Sequence, residues 1–557
     1  MAKKTSHVRR ETQEAATFVD ALRGEATKGG VFDSAAAKDF IDNSTSQATS
    51  APVPKALQQV FDSADDKEIS KISRAIIDGA NAYERMHGNQ APGDLLEQAM
   101  HLAASTTPDA HRKVLDSIAT SDAHAATSLQ PNRAVVAILT TLSEAIPFAH
   151  YLPADIQSNE AKLAIMVHKA GSDYGAYDKG GLMDGVSSGG RYISTSREHQ
   201  CVIEETTGTP TGNITGKITA VQDTDNTCDP AAASVPLLKG RAIVYVNGLV
   251  SAAESPQNPG NIGGKVEIAG TTHNLSGTID NATGAIALVA NPPIPLGTEV
   301  VVEAFIDYEQ DDKLTPRVIT EVETFTLFAN PYRVITAQSI DSRTQMTNEL
   351  GLDPYSEGVI AIQGQFANER HYEVLRKAKR MSVRNQATFD FKWANRGDMR
   401  SRSDVWRDLS AVLGKLSQQM ANDTMNHGIT HLYVKDFIAA QMVGLPADIW
   451  QPSGVWERPG IYRLGRLFGK YDVYYSPKVV EEQADGSSGE ILCVGQATDV
   501  TRNPFVLGDA VAPMVVPLSV NSDLKQGAAF YARNFTSVNP HKPSALACAR
   551  INVINMI

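Results

Sequence analysis

Apolar residues over the first 130 positions are sparse and fall at helical spacing. Lys55-Ala-Leu-Gln-Gln-Val-Phe and the stretch from Ile69 to Arg85 each put them on one face, which predicts helices. Asn43-Ser-Thr-Ser-Gln-Ala-Thr-Ser-Ala-Pro between them offers nothing to bury and reads as a linker. The pattern predicts an N-terminal helical extension over 1–130 that packs on something else instead of enclosing its own core.

From Pro131 the texture changes. Ala134-Val-Val-Ala-Ile-Leu and Leu163-Ala-Ile-Met-Val read as strand-like or buried runs. Between Gly171 and Gly190 glycine recurs so often that a regular element would lose too much chain entropy, which predicts an extended flexible loop. Arg191-Tyr-Ile-Ser-Thr-Ser then reads as a strand, completing a long hairpin. Residues 206–311 form an island with 12 glycines and 8 prolines. Its β-rich runs are Ile214 to Val221, Ala242 to Val250, Lys265 to Ile268, Ala285 to Ala290 and Glu299 to Phe305, parted by turns such as Asp280-Asn-Ala-Thr-Gly. This spacing predicts a small all-β sandwich inserted into a host domain.

Beyond the island, Val318 to Phe328 alternates as a strand. Helices are expected over Asp341 to Leu350 (closed by Gly351), over Glu357 to Met381, and from Asp404 to about Met425. In the last, Val405, Leu409, Val412, Leu416 and Met420 share a stripe and Ser403 is placed to cap the start. Short elements follow: Leu432-Tyr-Val, Asp436 to Val443 stopped by Gly444, Tyr471 to Tyr475, and Ile491 to Val494. Two strand-like runs, Ala528 to Phe535 and Leu546 to Val553, end the chain. The scaffold outside the island reads as α+β.

Composition narrows the classes. Lys and Arg number 51 against 63 Asp and Glu, a net charge of −12, which argues against a dedicated nucleic-acid binder. Lysines and arginines near Met1 are followed by Glu11-Thr-Gln-Glu where a signal peptide needs an apolar stretch, so synthesis in a cytoplasm is expected. No run of about 18 apolar residues predicts a membrane span. Cys201, Cys228, Cys493 and Cys548 form no paired spacing and read as buried thiols.

Enzyme motifs fail on context. Gly185-Val-Ser-Ser-Gly matches the nucleophile-elbow pattern, but a glycine-rich loop precedes it and a strand follows, the reverse of what that motif needs. His427 and His431 are four apart, yet Gly428 and the β-branched Ile429-Thr430 argue that the helix has ended, and no glutamate lies between them. No glycine loop ends in Gly-Lys-Ser or Gly-Lys-Thr. The reading is therefore no catalytic residues, no metal ligands and no cofactor.

One charge feature stands out. Arg370 to Arg407 holds 11 Lys/Arg against 4 Asp/Glu, with Arg376-Lys-Ala-Lys-Arg on a predicted helix. A solvated face, phosphate contact through counterion release, and pairing with an acidic surface on another copy all account for it. The acidic remainder of the chain supplies a partner for the third, and complementary patches set register between subunits. All four tryptophans, Trp393, Trp406, Trp450 and Trp456, fall close together and mark a tightly packed core or an interface.

The order of parts resembles the major capsid proteins of tailed bacteriophages with the HK97-like fold, nearest to those of large contractile-tailed phages. It rests on Arg343-Thr-Gln-Met-Thr-Asn-Glu-Leu-Gly-Leu-Asp before the long helix, Asp408 to Met420, and Ile429-Thr-His-Leu-Tyr-Val-Lys-Asp-Phe-Ile-Ala-Ala. It continues through Gly465-Arg-Leu-Phe-Gly-Lys-Tyr-Asp-Val-Tyr-Tyr-Ser-Pro, Cys493-Val-Gly, Pro504-Phe-Val-Leu-Gly-Asp-Ala-Val-Ala-Pro, Tyr531-Ala-Arg-Asn-Phe and Asn539-Pro. The resemblance covers about 131–205 and 312–557; the island and the first 130 residues lie outside it.

The resemblance implies an N-arm and extended loop (E-loop) over 131–205, the inserted β domain over 206–311, and the E-loop return with a P-domain and its spine helix over 312–425. An A-domain over 426–515 and C-terminal strands over 516–557 returning to the A/P core complete it. It implies a shell of hexamers and pentamers around double-stranded DNA held without sequence-specific binding, in a virion assembled in a bacterial cytoplasm. Decoration, portal and scaffolding proteins are the partners it suggests, with no membrane. Expected subunit contacts are Tyr174, Tyr177, Asp178, Lys179, Arg370, Arg376, Lys377, Arg380 and Arg384. Gly175, Gly180, Gly181, Gly185, Gly189 and Gly190 are the expected hinges of the E-loop. Many relatives lose an N-terminal segment after glutamate; Leu95-Leu-Glu and Leu142-Ser-Glu fit that pattern loosely. The N-terminal helices are nonetheless read as a permanent bracing arm. A vertex-specific paralogue, another virion part, and a scaffold displaying a host- or carbohydrate-binding β domain are the alternatives.

Overall fold

The computed structural model describes the chain outside 1–6, 29–30, 46–50, 63, 106–133, 136, 140, 144, 156–157, 223–226, 311–313, 340, 343, 346–347, 349–353, 393–400 and 519–524. The fold is α+β. It divides into a discontinuous unit, Met1–Ile165 with Thr324–Ile557, and a continuous one, Met166–Glu323.

In the first unit the N-terminal helices are His7–Ala26, Ser34–Thr45, Lys55–Asp62, Asp66–His87 and Gly93–Ser105. Asp65 and Glu68 form a capping box at the start of Asp66–His87, and Gly88 ends it at φ 73. Their apolar faces do not make a separate core. Phe18, Leu22, Leu57, Ile72 and Leu95 join one cluster with Leu375, Tyr433, Tyr474, Phe505 and Leu507 from the second half of the chain. That sharing explains how so few large apolar residues hold five helices. The run from Ala134 is helical at 134–135 and 137–139, not a strand, with Ala134 and Ile138 buried. A continuous apolar run has no period that separates the two states.

Two larger sheets belong to this unit, beside a short pair, Thr27–Lys28 with Val31–Phe32. One has four strands in the order Asn330–Ser339, Lys525–Val538, Phe505–Leu518, Ala149–Tyr151. The other has seven, in the order Gln386–Asp390, Cys548–Ile554, Gly489–Gly495, Ile429–Val434, Tyr471–Tyr475, Tyr462–Leu467, Trp450–Pro452. Phe505–Leu518 runs unbroken through the expected 515/516 boundary, because its partner Lys525–Val538 is as long and continues the pairing.

The long helix is Pro354–Met381, 28 residues or about 42 Å. Helix Arg402–Thr424 carries the expected stripe: Val405, Leu409, Leu416 and Met420 are buried, with Leu413 in place of the partly buried Val412. Its cap is Ser401, not Ser403; Ser401 accepts from the Asp404 amide, and Asp404 closes the box. The expected helix Asp341 to Leu350 and its stop Gly351 lie largely outside the described residues, as does Trp393.

The second unit begins well before the expected island. One nine-stranded sheet, not a two-sheet sandwich, runs in the order Ser196–Gln200, Val300–Phe305, Ile243–Val246, Leu249–Glu254, Asn261–Ile268, Thr271–Ile279, Ala285–Asn291, Thr209–Lys217, Val202–Thr206. The two outermost strands are separated by Cys201 alone. One passage of chain therefore pairs with Val300–Phe305 in its first half and with Thr209–Lys217 in its second, and the sheet curls round until it meets itself. Thr271–Ile279 escapes sequence reading because only His273, Leu275 and Ile279 of its nine residues are buried.

The loop expected to be free is folded into this unit. Tyr174, Tyr177 and Tyr192 belong to its core cluster, and Arg191–Thr195 is not a strand. Gly175 sits at φ 59 with its Cα so close to Arg191 that a Cβ would lie 1.8 Å from the carbonyl oxygen. Buried Glu254 accepts from the Arg241, Ala242 and Gly260 amides and from Asn281, tying three turns together.

Candidate subunit-contact surfaces

The basic helix separates into two faces. Arg370 Nη1 donates to Asp509 Oδ1 at 3.0 Å, and Nε to Thr536 at 3.3 Å. Lys377 Nζ donates to Glu373 Oε1 at 2.6 Å and to the Thr536 carbonyl. Lys379 Nζ lies 2.7 Å from both Glu481 and Glu490. These cations fasten the helix to strands of their own chain. A 28-residue helix needs anchors along its buried side, and sequence spacing does not reveal which side that is. Arg376, Arg380 and Arg384 are exposed and have no carboxylate partner among the described residues.

In the second unit, Tyr174 and Tyr177 are only 3% and 8% exposed and pack edge-on against Tyr192. The Tyr177 hydroxyl donates to the Ser187 carbonyl and accepts from the Gly190 amide. Both tyrosines are thus part of the packed core of their own unit. Asp178, Lys179, Gly180, Gly185, Gly189 and Gly190 are exposed, and Gly181 is partly so. Gly180, Gly185 and Gly189 have positive φ of 83, 63 and 100, so the tip keeps a specific turn geometry. The Gly185 stretch is a single turn, Gly185–Ser187, with neither the strand before it nor the helix after it that a nucleophile elbow needs. The second unit also concentrates charge: 166–323 has 20 Asp/Glu against 10 Lys/Arg.

Sequence reading gave Val318 to Phe328 as a strand but not the exposure of its apolar residues. Glu160–Ala170 and Val318–Phe328 form a two-stranded ribbon, whose bonds at either end join Asn159 to Ala329 and Gly171 to Arg317 in antiparallel order. Val318, Ile319 and Val322 stand 51%, 42% and 57% exposed on it. On Asn330–Ser339, the edge strand of the four-stranded sheet, Val334 and Ile335 are 47% and 69% exposed. Apolar residues on strands with an unpaired edge are what a protein avoids unless another chain covers them. The signal available in sequence was the run of β-branched residues from Val318 to Ile335.

The other candidates resolve as structure. Trp406 and Trp450 are core residues, whereas Trp456 is 90% exposed. His427 and His431 are both buried, the latter on strand Ile429–Val434, and burial pushes each imidazole down to about 4. The four cysteines are buried thiols. Among the described residues no helix is long and apolar enough to cross a membrane.

No protein-family model matches the sequence, and no curated protein does. Among solved structures the chain is similar to the capsid of jumbo bacteriophage PhiKZ, at 9% identity and a TM-score of 0.36 over 74% of this chain and 92% of that one. It is similar to the capsid of Myoviridae phage XM1 at 9% identity and 0.25, over 43% and 78%. The SrpI encapsulin of Synechococcus elongatus is matched at 10% identity and 0.26, over 43% and 79%. The solved structures to which the chain is similar thus include capsids of tailed phages, the kind of protein its sequence resembles.

Proposed function

We propose that the chain is a major capsid protein, a structural shell-former without catalysis that self-assembles into hexamers and pentamers of an icosahedral phage head around double-stranded DNA. The observation that carries this reading is the pair of successive strands, Val318–Phe328 and Asn330–Ser339, with open edges and large apolar side chains facing outward. Strand edges of this kind are satisfied by neighbouring copies, and an arm laid over a neighbour gives interfaces above the standard ~1,600 Å².

In this reading Pro354–Met381 is the spine helix, the ribbon is the root of the E-loop, and the seven-stranded sheet is the core of the A-domain. The second unit is an elaboration of this fold, and its excess of Asp and Glu is a candidate partner surface for the basic residues of another copy. Arg376, Arg380, Arg384, Asp178 and Lys179 are the polar contacts proposed between subunits. An acidic wall does not grip packaged DNA, which suits its release.

Electron microscopy of the purified protein tests the reading. Closed icosahedral particles are expected; a protein that stays monomeric at high concentration under all assembly conditions overturns it. Hundreds of copies per particle distinguish a major capsid protein from a vertex paralogue. The separate core of the second unit favours a further reading as a ligand-displaying module, which glycan-array binding by the full chain checks.

A further inference from the structure

Three histidines from three elements share a compartment of the first unit. His87 ends helix Asp66–His87, His371 lies on the long helix, and His431 lies on strand Ile429–Val434. His87 Nδ1 is 2.9 Å from the Tyr474 hydroxyl, and His371 Nε2 is 3.2 Å from that of Tyr433. Tyr433 and Tyr474 stack at 5.3 Å, Phe148 packs 5.5 Å from His431, and Tyr83 lies 4.5 Å from His87.

The charged groups around these rings favour cations poorly. Arg463 and Arg466 face His87 and His431 from strand Tyr462–Leu467, Arg458 faces His371, and Asp94 lies toward Tyr83. Asp472 is the carboxylate facing His87 and His431, but it already accepts from Arg463 at 2.6 Å and from Arg466 at 3.1 Å. Asp94 in turn lies 3.0 Å from His150. His87 Nε2 and His431 Nε2 are buried with no hydrogen-bond partner among the described residues. An added proton on His87 therefore brings a third cation to one carboxylate and a charged N–H with no acceptor.

We propose that this compartment is an acid-sensitive joint, which holds helix Asp66–His87 and the N-terminal helices against the sheet at neutral pH and releases them in acid. The inference concerns the folded chain and does not depend on the shell reading. Burial keeps His87 down to about 3, and His371 and His431 down to about 4. A histidine lowered in this way stabilises the docked state fully above its ordinary value of about 6.5, and that stability is lost as pH falls from there toward the native value. For His87 alone, docking weakens about 100-fold between pH 7.5 and 4.5.

Hydrogen exchange on the full chain at these two pH values, corrected for intrinsic rates, reads the effect directly. Amides of Asp66–His87 are expected to lose about 100-fold of protection while strand Gly489–Gly495 keeps its own. His87→Gln can still accept from Tyr474 but cannot take a proton, and is expected to lose less than about 10-fold. Unchanged protection in the wild type, equal loss in His87→Gln, or equal loss in Gly489–Gly495 overturns the joint. If His87→Gln is unprotected already at pH 7.5, His87→Asn takes its place: an acid loss clearly smaller than that of the wild type supports the joint, and a loss equal to wild type overturns it.

Discussion

Arg370 and Asp509 form an ion pair at 3.0 Å, with side chains only 16% and 5% exposed, that fastens the long helix to strand Phe505–Leu518. Gln98 of helix Gly93–Ser105 donates to the same carboxylate at 3.3 Å, so one buried charge holds three elements. Removing one partner leaves the other buried and uncompensated. Arg370→Met is expected to destabilise the first unit by about 3–5 kcal/mol in denaturant unfolding, and adding Asp509→Leu to recover much of that loss. A single variant as stable as wild type contradicts the assignment.

The exposed half of the basic helix behaves differently. Arg376, Arg380 and Arg384 are exposed and have no carboxylate partner among the described residues, so Arg376→Glu, Arg380→Glu and Arg384→Glu should each alter folding stability by less than about 0.5 kcal/mol. Together they are expected to abolish assembly while the circular dichroism melt is preserved. Normal shells from the triple variant would falsify the role given to this face.

Val322→Asp on the ribbon and Ile335→Asp on the edge strand Asn330–Ser339 place charges at positions already open to solvent in the isolated chain. Expected is a folded, soluble chain that sediments as small species. Particles of normal yield would mean that these strands are not covered by a neighbour.

Thiol chemistry checks the interior. Burial pushes the Cys201 thiol up to about 12 and raises Cys228, Cys493 and Cys548 as well, which keeps them as unreactive thiols. Native protein at pH 8 should take up almost no iodoacetamide over an hour, and unfolded protein four equivalents per chain. Fast native labelling at any of these positions would show that its element opens.

Much of the architecture was legible where period and length agree. Val318–Phe328 alternates over eleven residues, and the stripe from Val405 to Met420 in Arg402–Thr424 repeats over about four turns, so each pattern excludes the other state. The helical type of the 134–139 run, read as strand-like or buried, and the order of the glycine-rich loop at 171–190 escaped sequence reading for opposite reasons. The first is apolar on every side and has no period. The second owes its order to Tyr174 and Tyr177, which pack against Tyr192, with Tyr308 from the far end of the unit beside Tyr174.

By itself the sequence determined the element types, the island of turns and short strands, the buried thiols, and the basic character of 370–407, because local spacing and composition encode these directly. Only the tertiary structure decided which basic residues are anchors and which are free. Arg370 and Arg376 are alike as residue types on one helix, and a partner 139 residues away, Asp509, distinguishes them. It also decided that the sheet of the second unit closes on itself at Cys201, and that the N-terminal helices share a core with the C-terminal half. Pairing and burial between distant segments are properties of the folded chain, and no local window of sequence contains both partners.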